Sequence, residues 1–254
     1  MPKRPYPRVS ATVALTIVLA IVPCAGAALL AIDNPSFETV VPPLGPGQVS
    51  NFTGGIPAGW TFSDVSGVWY PNSFGVNPMF GNVFLPSAQA QINADGGHNV
   101  AFSDSGVISQ TLTATLQANT HYTLSLLVGD RLDLVNTNTV FSYGLYDLTT
   151  NTLLAGATNV TEADAFGGAG VPLKGTFVTQ SADFTSGTTG VGDALGIKLF
   201  ASGVEYSFDQ VTLDATTQGA AVAPLPTGAG AGFLLLTALG AMAWTKRRPT
   251  LGLA

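Results

Sequence analysis

The chain has 254 residues, 46% of them hydrophobic and only 9% charged, with 30 Gly and 16 Pro. That length allows one large domain or two small ones, and the apolar share excludes wholesale disorder. A formal net charge of −6, a single cysteine and two histidines exclude a disulfide scaffold, a cysteine-based zinc site and a histidine-rich metal site.

Residues 1–27 read as a secretory signal. Lys3, Arg4 and Arg8 form a basic start, and Ala11 to Val22 is an uncharged apolar run. That run falls short of the about 20 residues a spanning helix needs. Ala25-Gly26-Ala27 places small residues at both recognition positions of a signal peptidase, so the cut is expected after Ala27. The alternative is an uncleaved signal anchor. The cut discards Cys24 and leaves an exported protein whose fold cannot depend on disulfides.

Residues 28–218 read as one all-β domain, a single antiparallel β-sandwich. Thr120 to Val128 places Tyr122, Leu124, Leu126 and Val128 on one face at period two. Phe141, Tyr143 and Leu145 repeat the pattern, as do Leu195, Ile197 and Leu199. His98 to Ser103 alternates through Val100 and Phe102. Val107 to Thr113, Thr176 to Phe184 and Val204 to Leu213 complete the strand set. Thr, Val, Phe and Tyr favour the pleated surface, and the Gly, Asn, Asp and Ser clusters between runs are turn formers. No amphipathic helix of good length is predicted.

Charge separates along the chain. Between residues 28 and 221 only Arg131, Lys174 and Lys198 are basic, while all 15 acidic residues lie there. Such a surface repels phosphate backbones and excludes nucleic acid as a partner. It is compatible with hard cations. Arg131 is expected to pair with Asp130, Asp133 or Asp147 as a structural bridge.

Asn34-Pro35-Ser36-Phe37-Glu38 opens the domain, Gly59-Trp60 follows, and Phe208-Asp209-Gln210-Val211-Thr212-Leu213-Asp214 closes it. Ile108-Ser109-Gln110-Thr111-Leu112 leads into Tyr122-Thr123-Leu124 between them. This series resembles the galactose-binding-like jelly rolls, especially bacterial carbohydrate-binding modules. The resemblance implies a structural Ca2+ held by Glu38 and Asp209, with Asp214 as a substitute, because the first and last strands of such modules pair. Turn capping by Glu38 and backbone acceptance by Asp209 is the alternative.

Trp60, Phe62, Trp69, Tyr70, Phe74, Phe80 and Phe84 crowd one segment, interleaved with Pro, Gly and Asn. Sugars present C–H patches and polar edges, so aromatic faces on loops suit a carbohydrate-binding site. Trp69, Tyr70 and Phe74 are the expected platform, and Trp60 is expected in the core. The same rings could equally cover one end of the sandwich. No feature selects a catalytic carboxylate pair, and no Gly-x-Ser-x-Gly elbow is present. His121 is expected on a solvent-facing strand position and His98 in a turn. Gly167-Gly168-Ala169-Gly170 reads as a loop, since Val171-Pro172 follows it. The domain is therefore expected to be non-enzymatic. It is either a polysaccharide-binding module or a structural component of the envelope or biofilm matrix with no small ligand.

Residues 219–227 form a linker carrying Pro224, Leu225 and Pro226. Residues 228–245 read as a transmembrane helix, uncharged from Gly228 to Trp244. Residues 246–254 read as a basic cytoplasmic tail opened by Lys246, Arg247 and Arg248. Pro-rich motif, apolar stretch and basic end in this order resemble the PEP-CTERM sorting signal, in its Val-Pro-Leu-Pro variant. The resemblance implies recognition by an exosortase. It also implies an inner-membrane anchor that gives way to the cell surface or extracellular space after processing. A plain single-span anchor is the alternative.

Overall fold

The computed structural model describes residues 27–71, 83–134, 139–166 and 174–218. The expected signal helix, sorting motif, membrane helix and tail, together with Phe74, lie outside the described residues. Among those described, no helix is long and apolar enough to cross a membrane.

Period-two alternation becomes two antiparallel sheets. The first contains β1 (Ala27–Leu29), β5 (Ser66–Trp69), β6 (Val100–Ser103), β8 (Thr120–Asp130), β11 (Phe177–Thr185) and β13 (Tyr206–Thr217). Its order is β11-β8-β13-β6-β5, with β1 also paired to β13. The second contains β4 (Thr61–Phe62), β7 (Val107–Thr115), β9 (Val140–Asp147), β10 (Thr152–Thr161) and β12 (Ala194–Ser202), in the order β10-β9-β12-β7-β4. β2 (Val40–Val41) and β3 (Ile56–Pro57) pair separately. The helices are short: α1 (Ser50–Thr53), α2 (Pro86–Ile92) and α3 (Glu162–Phe166).

The two sheets bury one core between them. Tyr122, Leu124, Leu126 and Val128 of β8 meet Phe141, Tyr143 and Leu145 of β9 and Leu195, Ile197 and Leu199 of β12 there. These are the faces that the alternation predicts. Tyr206 and Phe208 join them from β13. The all-β sandwich is thus the observed fold.

The opening motif has a physical explanation. Asn34 stands at φ 49°, and its side chain accepts from the Thr39 N–H at 2.8 Å while donating to the carbonyl of Ala58 at 3.2 Å. The Trp60 indole donates to the Asn34 carbonyl at 3.0 Å, and its ring centroid lies 5.0 Å from that of Phe37. Gly59 sits at φ 79°, and a β-carbon there would come within 2.5 Å of Asp33 Cβ. Asn34, Phe37, Gly59 and Trp60 are thus one interlocked corner, and Trp60 is core as expected.

β6 departs from expectation. Alternation reads as one buried and one wet face, yet all four of its residues are buried. Ala101 faces the main core. Val100 and Phe102 face a second apolar cluster with Trp69, Val83, Phe84, Ala88, Ile92 and Phe177. The segment from Val83 to Ile92, including α2, covers this outer face of the first sheet. Pro86 begins α2 where its missing N–H costs nothing. Gln91 then fastens the cover. Its amide donates to the Phe177 carbonyl at 2.7 Å and accepts from the Phe177 N–H at 3.1 Å. Gln210 donates to the Gln91 carbonyl at 2.6 Å.

Candidate functional site beneath the cover

In β13, Tyr206 and Phe208 point into the main core, so Ser207 and Asp209 between and after them point to the outer face. The cover makes that face dry. Ser207 and Asp209 are both 0% exposed. Their neighbours in the sheet are apolar or small: Ser207 pairs with Gly129 and Phe102, and Asp209 pairs with Leu127.

Three polar atoms on this face have no hydrogen-bond partner among the described residues: Trp69 Nε1, Ser207 Oγ and Asp209 Oδ2. Buried polar groups are nearly always satisfied, because leaving one unmade costs about 1–3 kcal/mol. Three on one sheet face, under one apolar cover, make it the candidate site.

Asp209 is the chemically distinctive member. Its Oδ1 accepts the Gln210 N–H at 2.7 Å, which favours the charged form. Burial outweighs that bond and pushes the carboxyl well above the usual carboxylate range, and the nearby charges of Asp95 and Glu38 push it further up. Burial therefore favours the protonated form of Asp209. The folded state then binds more protons than the unfolded chain, so stability falls as pH rises. With a chelator present, melting temperature should decline as pH climbs from about 4, the ordinary aspartate value, through the raised value. Asp209→Asn should flatten that slope, and a slope unchanged in the variant would assign it to another group.

Arg131 roofs the indole. Its guanidinium carbon lies 5.2 Å from the centroid of the Trp69 ring. Nε and Nη2 donate to the two oxygens of Asp133 at 3.1 and 2.8 Å, and Nη1 donates to Glu205 at 2.9 Å. Burial holds the Glu205 carboxyl above its ordinary value despite Arg131. These groups border a cavity of about 280 Å3 lined by Val65, Asp104, Arg131, Leu134, Gly203, Val204 and Glu205. A larger groove of about 360 Å3 lies on the second sheet around Tyr146, Lys198 and Phe200. Neither lining includes Trp69, Ser207 or Asp209, the residues that carry the unpartnered atoms.

Of the residues expected as a sugar platform, Trp69 is buried, Tyr70 is half-buried, and Phe74 lies outside the described residues. Trp69 is a strand residue, 8% exposed, with Phe84 and Arg131 on its ring. Tyr70 stacks on His98 at 5.2 Å. Of the aromatics in that segment, Trp69 and Phe84 belong to the second core, and Trp60 belongs to the main one. Asp133 is the expected Arg131 partner, whereas Glu205 is an additional one. His121 lies on the polar outer face as expected, with its ring against Thr185 at 3.0 Å and Asp183 at 3.5 Å.

The expected calcium ligands divide. Glu38 and Asp95 are close enough to raise the proton affinity of Asp209. Glu38 Oε1 is already held by the N–H groups of His98 and Asn99, at 2.8 and 2.7 Å. Asp214 lies further along β13, opposite Thr123 and Leu29, apart from this group. No three His, Cys, Asp or Glu side chains converge to hold a metal among the described residues.

The all-β sandwich thus buries a carboxyl, an indole N–H and a hydroxyl on one sheet face. The chain matches the HpiC1-like family, described as HpiC1 cyclase, over residues 28–214, and belongs to that family. No curated protein matches it. Among solved structures it is similar to an apo cyclase from Fischerella sp., with 22% identity and a TM-score of 0.54, covering 76% of this chain and 98% of that one. A Stig cyclase of Fischerella sp. TAU in complex with (3Z)-3-(1-methyl-2-pyrrolidinylidene)-3H-indole is 22% identical with a TM-score of 0.51, covering 75% and 98%. A cyclase from the same source in complex with 4-(1H-indol-3-yl)butan-2-one is 22% identical with a TM-score of 0.51, covering 74% and 97%. Family membership overturns the expectation of a non-enzymatic carbohydrate-binding or matrix protein.

Proposed function

We propose that this protein is a cyclase that closes a ring in a small unsaturated molecule by protonating it from Asp209. Membership of the cyclase family across residues 28–214 carries the reading. The buried acid supports the role given to it. In the proposed step, Asp209 Oδ2 gives its proton to a carbon–carbon double bond, leaving a cation on the substrate. A second π bond of the substrate attacks that cation and forms the ring bond. The resulting cation loses a proton to the Asp209 carboxylate, so the net reaction is an isomerisation. Trp69 Nε1–H and Ser207 Oγ–H would orient the substrate, and Phe84, Phe102 and Phe177 would exclude water from the cation. The small residues of Ala25 to Ala27 and the apolar run before them support export of this enzyme.

The test is turnover of indole-bearing alkenes in D2O. The expected product has the ring closed and one deuterium on carbon, since the Asp209 proton exchanges with solvent. Recovery of unchanged substrate across such a panel, with a well-folded protein, would overturn the reading.

The nearness of Glu38 to Asp209 favours a second reading, in which these two carboxylates and backbone carbonyls hold Ca2+. Calcium accepts six to eight oxygens, including backbone carbonyls, so the side chains present fit part of such a shell. A bound cation would supply charge neutralisation and tie the opening corner to β13. It would also strip the proton from Asp209, so the two readings exclude one another. If calcium binds, calcium at about 100 times its dissociation constant adds about 2.7 kcal/mol. That should raise the melting temperature by roughly 5–10 °C in the parent and not in Glu38→Gln. No shift in the parent would leave Asp209 to its acid role.

A further inference from the structure

We propose that Arg131 is a positioning residue that aims and strengthens the indole N–H of Trp69 as a hydrogen-bond donor to the substrate. The proposal rests on the cyclase reading for the identity of the acceptor, but not for the geometry.

Arg131 is one of three cations among the 15 carboxylates of residues 28–221. It is spent neither on solvent nor on a loose surface pair. Its side chain is 13% exposed and its guanidinium is gripped on two sides, by both oxygens of Asp133 and by Glu205. Such a fork is fixed in plane and direction, unlike the ammonium of a lysine. What it is fixed over is the face of Trp69, at 5.2 Å.

A cation on an indole face is attracted by the ring quadrupole and draws π density toward itself. The ring edge, including Nε1–H, becomes more positive and a better donor. Phe84 packs on Trp69 as well, at 5.8 Å between centroids, so the ring is confined by Arg131 and Phe84. Yet Nε1 has no acceptor among the described residues. Trp60 makes the contrast within the same domain: its indole N–H is spent on the Asn34 carbonyl. A structural tryptophan satisfies its N–H, whereas Trp69 lies under a guanidinium with its donor unpaired among the described residues.

The experiment uses full-length protein with 15N-labelled indoles. Trp69→Phe and Trp60→Phe assign their two resonances. Arg131→Met is expected to move the Trp69 indole resonance and leave that of Trp60 in place. A cyclised indole-alkene substrate added to the parent should also move Trp69 alone. In turnover, Arg131→Met should raise KM about tenfold, the scale of a desolvated cation–π contact, with kcat within about twofold. Arg131→Lys should fall between, since it keeps the charge and loses the fork. Trp69→Phe, which keeps a ring and loses the donor, should match Arg131→Met.

An unmoved Trp69 resonance in Arg131→Met overturns the proposal. So does a parent-like KM in either Arg131→Met or Trp69→Phe. If Arg131→Met unfolds, Arg131→Lys carries the same two readouts, and a parent-like KM with an unmoved resonance there is equally fatal. A parent protein that turns over no substrate sinks the cyclase reading instead. The Arg131→Met resonance then still decides whether Arg131 acts on Trp69.

Discussion

Asp209→Asn should lower cyclisation by about 10²–10⁴-fold, the range typical of losing a positioned general acid. Asparagine keeps the shape and the oxygen that accepts the Gln210 N–H. It cannot give up a proton and take it back. The loss should appear in kcat, because substrate still meets Trp69, Ser207 and the aromatic wall. Stability should move the other way. Burying an ionisable carboxyl beside Glu38 and Asp95 is unfavourable near neutral pH, and the amide removes that charge. With a chelator present, the variant should melt at or above the parent at pH 7. Near-parental turnover in Asp209→Asn would end the acid assignment.

Phe141→Ala should be the most destabilising single change described here. Phe141 is 0% exposed and its ring stands 5.0 Å from Tyr206, 6.3 Å from Tyr143 and 6.5 Å from Phe208. Truncation leaves a cavity between the two sheets that these rings cannot all close. A Phe→Ala change in such a core costs about 3–5 kcal/mol. For a domain of this length that lowers the melting temperature by roughly 6–20 °C. Val107→Ala is the control: Val107 is 36% exposed, so its loss should stay within about 0.5 kcal/mol. Equal effects from the two changes would mean that the inter-sheet core is not what holds the fold.

The main core was legible because its signal is local. Tyr122, Leu124, Leu126 and Val128 alternate with Thr, Ser and Leu, and one sheet face buried against another needs nothing more. The interlocked corner was legible as a motif, and Asn34, Gly59 and Trp60 show why its residues recur together. The candidate site was not legible. Ser207 and Asp209 alternate with Tyr206 and Phe208, and in a two-layer sandwich that pattern means solvent. Among the described residues the segment from Val83 to Ile92 covers that face, and nothing in β13 announces it. The same cover explains the error over Trp69. Aromatics among Pro, Gly and Asn read as exposed loop rings, yet Trp69 and Phe84 pack against one another beneath it. Ala88 and Ile92 stand four residues apart after Pro86, a helical spacing that marks α2 as a buried helix rather than loop. The role of Glu205 was invisible because Arg131 had nearer sequence partners.

The Gln91 amide has a consequence for the company this protein keeps. β11 is an outermost strand, and an outermost strand offers open N–H and C=O groups to any passing chain. At Phe177 both groups are already occupied by a single side chain, which donates and accepts just as a neighbouring strand would. The glutamine thus closes the first rung of a ladder on which a second molecule could otherwise begin to polymerise. The helix that covers Asp209 thus also occupies one end of this open edge.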